Sequence, residues 1–454
     1  RRQAAAATGV VLRRAWRALA QGDLDMAIRL QLAGLSLDTV PESGDRIALR
    51  GFGTLYNGGA CDKVTSAMAP HFNALAVKIA QLSGLEHLAG VDLTIGDPSG
   101  PAAMPNCAVT SVVPDPDLQV HAQFSEKHTH YIGGKYMDLL FPAARPPRIT
   151  TVSVTGTDGK TTTSRMVTRI LQTAGLKVGL ACSDGIYVDD ELLMAGDMAG
   201  VQGAAAVLND QQIEAAVLET ARGAMANRGI AFDHCDVGAC LNVAEDHLGN
   251  EGIETLDQMA LHKRQVIERT TGVAVLNADD PRCLDMREHT AAKEAILVAH
   301  SANHPAIRDH IRAGGRAVIR GSGETGHEIC AIDAAGIKPL IVVSKIPATM
   351  DGKALFNVEN AMAAIALSVG LGISDEMIIK GMSDFRMTNN NTPGRLNIYD
   401  GLPFRVIVDH AHNKHGLKAF CAFLNQLDVK GRRIAVLFGI GDRSDEEIKD
   451  NVRI

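Results

Sequence analysis

One stretch constrains the chain more than any other: Ile149-Thr150-Thr151-Val152-Ser153-Val154-Thr155-Gly156-Thr157-Asp158-Gly159-Lys160-Thr161-Thr162-Thr163. Its β-branched start predicts a buried strand, its glycines a tight loop, and Ser164–Leu171 reads as a helix. Such a strand–loop–helix lets backbone N–H groups of Gly156, Thr157, Asp158 and Gly159 converge on phosphate oxygens, with the helix dipole adding to the attraction. Lys160 can neutralise terminal phosphates, and the Thr161 hydroxyl can ligate Mg²⁺, with Thr162 next in line. A chance Gly-rich turn is the alternative, and the flanking strand and helix oppose it. The loop is more compact than the eight-residue nucleotide signature, which points away from generic GTPases and kinases.

Composition agrees with an α/β protein of two or three domains. The 454 residues are 46% hydrophobic and 21% charged, which excludes a largely disordered chain. Glycines number 44 and aromatics are 4%, which suits tight βα turns better than base-stacking platforms. The net charge of −7 argues against broad binding to nucleic acid or anionic membrane. No apolar run reaches the length of a membrane span. The eight cysteines are scattered without CxxC pairs, so we expect reduced, mostly buried thiols in a cytoplasmic protein. The Ala- and Arg-rich start, Val10–Leu19, reads as an amphipathic helix rather than a transit peptide.

Punctuation divides the chain into three zones. Residues 1–147 mix helices with strand-like runs at Asp45–Leu49 and Gly90–Ile95 and end in the turn-rich Phe141–Pro147. Residues 148–390 alternate strand and helix, with buried strands expected at Ile149–Val154, Ala215–Leu218, Asp236–Asn242 and Val273–Leu276. Runs at Ala317–Ile319, Glu328–Ile332 and Pro339–Val343 suggest a small added sheet, and a helix should begin near Asn357. In residues 391–454, Arg405–Val408, a helix from about His415 and Arg433–Phe438 read as one βαβ unit.

Thr155-Gly156-Thr157-Asp158-Gly159-Lys160-Thr161-Thr162-Thr163 resembles the Thr-Gly-Thr-Asn-Gly-Lys-Thr-Thr-Thr of the Mur ligase superfamily, which joins an amine to a carboxylate through an acyl phosphate. The resemblance continues downstream. Glu219, in Leu218–Gly223, looks like the Mg²⁺ carboxylate at a strand's carboxyl end. His247, in Asn242–Gly249, matches a second metal-associated position. Lys263 falls where these enzymes carry a carbamylated lysine, whose oxygens suit a hard cation. Leu276–Asp280 is similar to a segment shaping the nucleotide side. Asn357 and Asn360 resemble paired asparagines that face adenine, although Phe356 replaces the usual His. Arg395 would counter phosphate charge, and Asp409 would hold the nucleotide. Arg222, His412 and Asn413 are the implied substrate contacts. In the Asp409–Asn413 motif the usual Tyr and Pro are replaced by His410 and Lys414. The local spacing of His410, His412 and His415 fits no common zinc signature.

The wording at Ser183–Tyr187, Glu219–Gly223, Phe232–Val237, Glu245–Gly249 and Phe438–Arg443 is closest to the Mur-like half of the cyanophycin synthetase family, in which an ATP-grasp domain comes first. Residues 35–100 are similar to the C-terminal half of that domain. The resemblance implies an ATP- and Mg²⁺-dependent ligase joining arginine to the aspartate β-carboxyl of a poly-aspartate backbone. Homo-oligomerisation stays open. Where the ATP-grasp family places its Mg²⁺-binding Glu and Asn, this chain has Ser111 and Val113. The first domain is therefore expected to be silent, since valine cannot ligate a hard cation. The expected architecture is a partial α+β ATP-grasp domain, a P-loop central domain with a mostly parallel sheet, and a partial Rossmann-like C-terminal domain. A chain opening at Arg1 without Met and stopping at Ile454 fits a fragment. The competing reading is a silent paralogue that scaffolds an active synthetase.

Overall fold

The computed structural model describes residues 24–36, 38–40, 42, 44, 45, 47, 68–85, 88–118, 131–140, 148–246, 248, 249, 251–321, 327–437 and 445–454. They fall into two compact units, Arg1–Pro147 and Arg148–Ile454. The first carries α1 (Leu24–Leu32), α2 (Pro70–Leu82), the antiparallel pair β1 (Gly90–Ile95) and β2 (Cys107–Val113), and α3 (Tyr131–Leu140). Ser111 and Val113 lie on β2, opposite Asp92 and Gly90. The expected helix over 10–19 lies outside the described residues. So does most of the strand expected at Asp45–Leu49, whose described residues 45 and 47 are not in a strand.

The second unit is built on one eleven-stranded sheet. In chain order its strands are β3 (Thr150–Thr155), β4 (Val178–Cys182), β5 (Gly185–Val188), β6 (Glu191–Ala195), β7 (Ala215–Glu219), β8 (Cys235–Cys240), β9 (Thr270–Asn277), β10 (Glu294–Ala299), β11 (Arg316–Gly321), β12 (Glu328–Asp333) and β13 (Gly336–Val342). In space the order is β13-β12-β11-β10-β9-β8-β3-β7-β4-β5-β6. From β11 to β4 every pairing is parallel, and antiparallel strands extend both edges. β3 has β7 on one side and β8 on the other, so the loop that follows it opens at the crevice where successive connections diverge.

The unit's helices are α4 (Lys160–Thr173), α5 (Val201–Leu208), α6 (Arg222–Arg228), α7 (Leu256–Glu268), α8 (Pro281–Asp285), α9 (Pro305–Arg312), α10 (Leu355–Gly370), α11 (Asp375–Asp384), α12 (Lys414–Asn425) and α13 (Asp445–Arg453). The fully buried Met166, Val167 and Ile170 of α4 share one core with Ile365 of α10 and Ile378 of α11 against β3, β7 and β8. Opposite them, Met259 and Ile267 of α7 join Cys283 and Ile307 against β9 and β10. Both faces of the parallel strands are thus covered, as their continuous apolar runs require.

Two expectations need correction. The runs expected as a small added sheet are β11–β13, which continue the main sheet. An edge extension and a separate sheet share one side-chain pattern, because the difference lies in main-chain pairing alone. The expected strand at Arg433–Phe438 is also absent where described: residues 433–437 are in no strand, and Ile434 is 83% exposed. β15 (Val406–Val408) instead pairs antiparallel with β14 (Asn397–Tyr399). A parallel strand needs a main-chain neighbour, and 433–437 have none among the described residues.

Candidate active site

The β3–α4 loop is held from below by Asn242, just past the end of β8. Its carbonyl and side-chain oxygen accept from the Thr157 N–H at 3.0 and 2.9 Å, and that side-chain oxygen also accepts from the Asp158 N–H at 2.9 Å. These two N–H groups therefore face the fold. The free donors are those of the first α4 turn, which have no intrahelical acceptor. Gly159 ends the loop at φ +83°, and a Cβ there would meet the Asn360 carboxamide, so the position demands glycine twice over. Gly156 likewise passes close to Leu241. The Lys160 ammonium donates to the Thr157 carbonyl at 2.8 Å, folded over the loop it would neutralise.

At the carboxyl end of β7, Glu219 is 3% exposed. Its Oε2 accepts from the Thr161 hydroxyl at 2.9 Å and from the Ser183 N–H at 3.1 Å. The Ser183 hydroxyl lies 3.0 Å from that of Thr161. Two hydroxyls and a carboxylate thus share one spot, a donor set of hard oxygens that fits Mg²⁺. Arg395 reaches the same spot, its Nη2 donating to the Thr161 and Ser183 hydroxyls at 3.4 and 3.3 Å. Its Nε is buried without a hydrogen-bond partner among the described residues, a positive group short of acceptors beside the loop. Ser183 sits in the turn between β4 and β5, and sequence reasoning gave it no role. The turn is anchored by Asp184, which pairs with buried Arg165 at 3.1 Å while that guanidinium covers the Tyr187 ring.

Lys263 approaches from the opposite face. A capping box between Thr255 and Gln258 starts α7 and turns Met259, Lys263, Val266 and Ile267 inward. Lys263 is 2% exposed and donates to the Gly156 carbonyl at 2.7 Å. Burial, then the charge of Lys160, pushes it down to about 8. His247 lies outside the described residues.

The C-terminal segment closes the cleft. Asp409 accepts from the Leu396 and Ala411 N–H groups, both at 2.8 Å, and burial nevertheless raises its pKa. Asn413 donates to Asp158 at 2.9 Å. His412 lies beside His410 with the rings tilted 55° and points its Nε2 toward buried Asp246 at 3.7 Å, while His415 turns away to Asp158, so the three histidines do not converge. Asn360 donates to Asn357 and accepts from Thr163. Arg222 pairs with Glu251 at 3.0 Å on the far wall. Loop, Glu219, Lys263, Arg222, Asn360, Arg395, Asp409 and His412 all line one cleft of about 930 Å³.

Residues 154–368 match the Mur ligase middle domain family. The chain is 36% identical over 421 residues to cyanophycin synthetase of Geminocystis herdmanii, an alignment covering 92% of this chain and 47% of the relative. The cyanophycin synthetase of a Nostoc species is 37% identical over 420 residues, covering 92% and 46%. The chain therefore spans about half the length of these relatives. A UDP-N-acetylmuramoyl-L-alanyl-D-glutamate–2,6-diaminopimelate ligase of Corynebacterium glutamicum is 28% identical over 302 residues, covering 65% and 54%. A solved structure of a ligase with that name aligns at TM-score 0.48 and 19% identity, covering 72% of this chain and 63% of that one. The loop after β3, the acid ending β7 and the helix bearing Asn360 thus lie in a segment, residues 154–368, that belongs to the Mur ligase middle domain family.

Proposed function

We propose that the chain is an ATP-dependent amide ligase that activates a carboxylate as an acyl phosphate and joins it to an amine. The likeness to cyanophycin synthetases points to an aspartate β-carboxyl of a poly-aspartate backbone as acceptor and arginine as amine. The convergence of the Thr161 hydroxyl, Glu219 and Arg395 on one spot beside the loop carries this reading.

A carboxylate is a poor electrophile, and transfer of the γ-phosphoryl of ATP to its oxygen releases ADP and gives a good leaving group. Thr161, Glu219 and Ser183 would hold Mg²⁺, with His247 and a carbamylated Lys263 at a second position. When bound, Mg²⁺ counters the charge of the phosphoryl oxygens. The chain's own part is positioning. The first turn of α4 and Lys160 receive the phosphates, Arg395 meets charge that builds on the transferring group, and Arg222, on the far wall of the cleft, meets the acceptor. The amine then attacks the acyl carbon, the C–O bond to phosphate breaks, and phosphate leaves. Asn413 and His415, both bonded to Asp158, hold the C-terminal segment over the loop, where it would keep water from competing.

We read residues 148–390 as the nucleotide-binding domain and 391–454 as a partial C-terminal domain. Residues 1–147 we read as a partial, silent ATP-grasp domain, on the strength of Ser111 and Val113. The test is ADP release with ATP, Mg²⁺, arginine and a poly-aspartate primer, beside a Lys160→Ala control. Arginine-dependent turnover lost in the control supports the ligase. No turnover, with retained binding to an active synthetase, supports the scaffold.

A further inference from the structure

The cleft has two unlike wings on either side of the loop. One, bearing Arg222, Arg228 and Glu251, is charged and has no aromatic side chain among the described residues. The other presents the rings of Phe356 and Phe420 and the flexible thioether of Met387, apolar surfaces suited to a planar nucleobase. The first turn of α10 forms the floor of this second wing.

Both asparagines of that turn are engaged within the protein. The Asn357 amide donates to the Ala348 carbonyl at 2.8 Å, and its oxygen accepts from Asn360 at 3.1 Å. The Asn360 oxygen accepts from the Thr163 hydroxyl at 3.4 Å. Between them stands Glu359, with a side chain 43% exposed, lining both the cleft and a small adjoining pocket. One carboxylate oxygen, Oε1, faces His300 Nε2 at 2.9 Å. The main chain that carries this imidazole is anchored in turn, since the backbone N–H of His300 donates to Asp279 Oδ2 at 2.7 Å. A carboxylate has lone pairs on both oxygens, so with Oε1 on His300 this half-exposed, cleft-lining side chain keeps Oε2 as a further acceptor.

We infer that Glu359, oriented by His300, is the base-reading residue of this cleft, accepting a hydrogen bond from the exocyclic amine of a 6-aminopurine nucleotide. The inference rests on the nucleotide reading proposed above. With one oxygen held by His300, the carboxylate offers a single acceptor. That matches a 6-amino group and opposes the carbonyl of a 6-oxopurine, which would face an acceptor with an acceptor. His300 is a positioning residue, and its pKa is raised first by this same hydrogen bond.

The test is binding of ADP and of inosine diphosphate, its 6-oxo counterpart, to the full chain by titration calorimetry. The wild type should prefer ADP about tenfold or more. Glu359→Gln, whose amide can accept or donate, should bring the ratio near one, and His300→Leu should lower it part of the way. A ratio unchanged in Glu359→Gln, with both nucleotides still bound, overturns the inference and leaves the ligase reading standing. So does a loss confined to the comparison of ADP with 2′-deoxy-ADP, which would place Glu359 on the ribose. Failure of the wild type to bind either nucleotide overturns both readings. Melting temperatures of the two variants close to wild type confirm that selectivity, not folding, is being read.

Discussion

His415 Nδ1 lies 2.8 Å from Asp158 Oδ2, joining the start of α12 to the β3–α4 loop across 257 positions of sequence. Asn413 donates to the other carboxylate oxygen at 2.9 Å, so Asp158 is gripped on both sides by the segment that closes the cleft. Asp158 stands where the Mur ligase motif has Asn. A carboxylate beside a phosphate site would repel its ligand, and the paired imidazolium offsets that charge.

The clasp should respond to pH. His415 is raised above its ordinary 6.5 first by the hydrogen bond to Asp158, so its contribution is full below that ordinary value and fades as pH climbs through the raised one. Burial would raise Asp158, but the bonds from His415 and Asn413 outweigh it and hold the acid below its ordinary 3.8. The Asp158 contribution is therefore lost only in strong acid, as pH falls through the lowered value. Because the His415 side chain is 52% exposed, solvent screening limits the pair to about 1 kcal/mol or less. Amide exchange over residues 414–425, corrected for intrinsic rates, should quicken in the wild type as pH rises above 6.5 and through the raised value of His415. In Asp158→Asn that rise should vanish; an equal rise in the variant refutes the clasp.

Glu219 accepts from both Thr161 and Ser183 in a buried setting. Glu219→Gln keeps the shape but removes the charge and puts a donor where acceptors are needed. Turnover should fall on the order of 10²–10³-fold. Steady-state ADP release at saturating ATP measures it, and a loss under tenfold would remove Glu219 from the reaction centre.

The Arg395 Nη2 donates to two hydroxyls while the buried Nε of the same plane has no partner among the described residues, so the guanidinium carries spare donors in a fixed plane that a lysine ammonium lacks. Arg395→Lys should leave ADP binding within about threefold of wild type while lowering kcat by roughly 10²-fold, because the charge is placed for transfer rather than for the bound nucleotide. Equal losses in affinity and kcat would instead make Arg395 a simple nucleotide anchor.

Much of this site is legible in sequence, for definable reasons. Strand β3, its loop and α4 announce themselves because a β-branched run, two glycines and a helical pattern are local signals. The strands β7, β8 and β9 lie within a few residues of expectation, since buried parallel strands read as unbroken apolar runs. Ser183 escaped a role because it acts through a turn between two short strands, and only the spatial order of β7 and β4 brings it to Glu219. The Asp158–His415 and Glu359–His300 pairs were equally hidden. Each joins segments distant in sequence, and neither partner follows from periodicity.

Lys263 gives the sharpest separation of stability from function. Its fall from 10.5 to about 8 means that burial disfavours the ammonium in the folded chain by about 3 kcal/mol at neutral pH. Between those two values the unfolded chain binds the extra proton, so stability should rise with pH across that window. Lys263→Met would remove the buried charge at the loss of one hydrogen bond to Gly156, worth about 1 kcal/mol. In CO₂-free buffer near pH 7 the variant should therefore be more stable by roughly 1–2 kcal/mol in urea unfolding, and inactive in ADP release. The same low pKa leaves a usable fraction of neutral amine near pH 7.5, the form that adds to CO₂ and releases a proton to give a carbamate. Wild-type activity should fall when bicarbonate is removed and return when it is restored. A Lys263→Met protein that is both less stable and fully active would show this lysine to be a structural cation only.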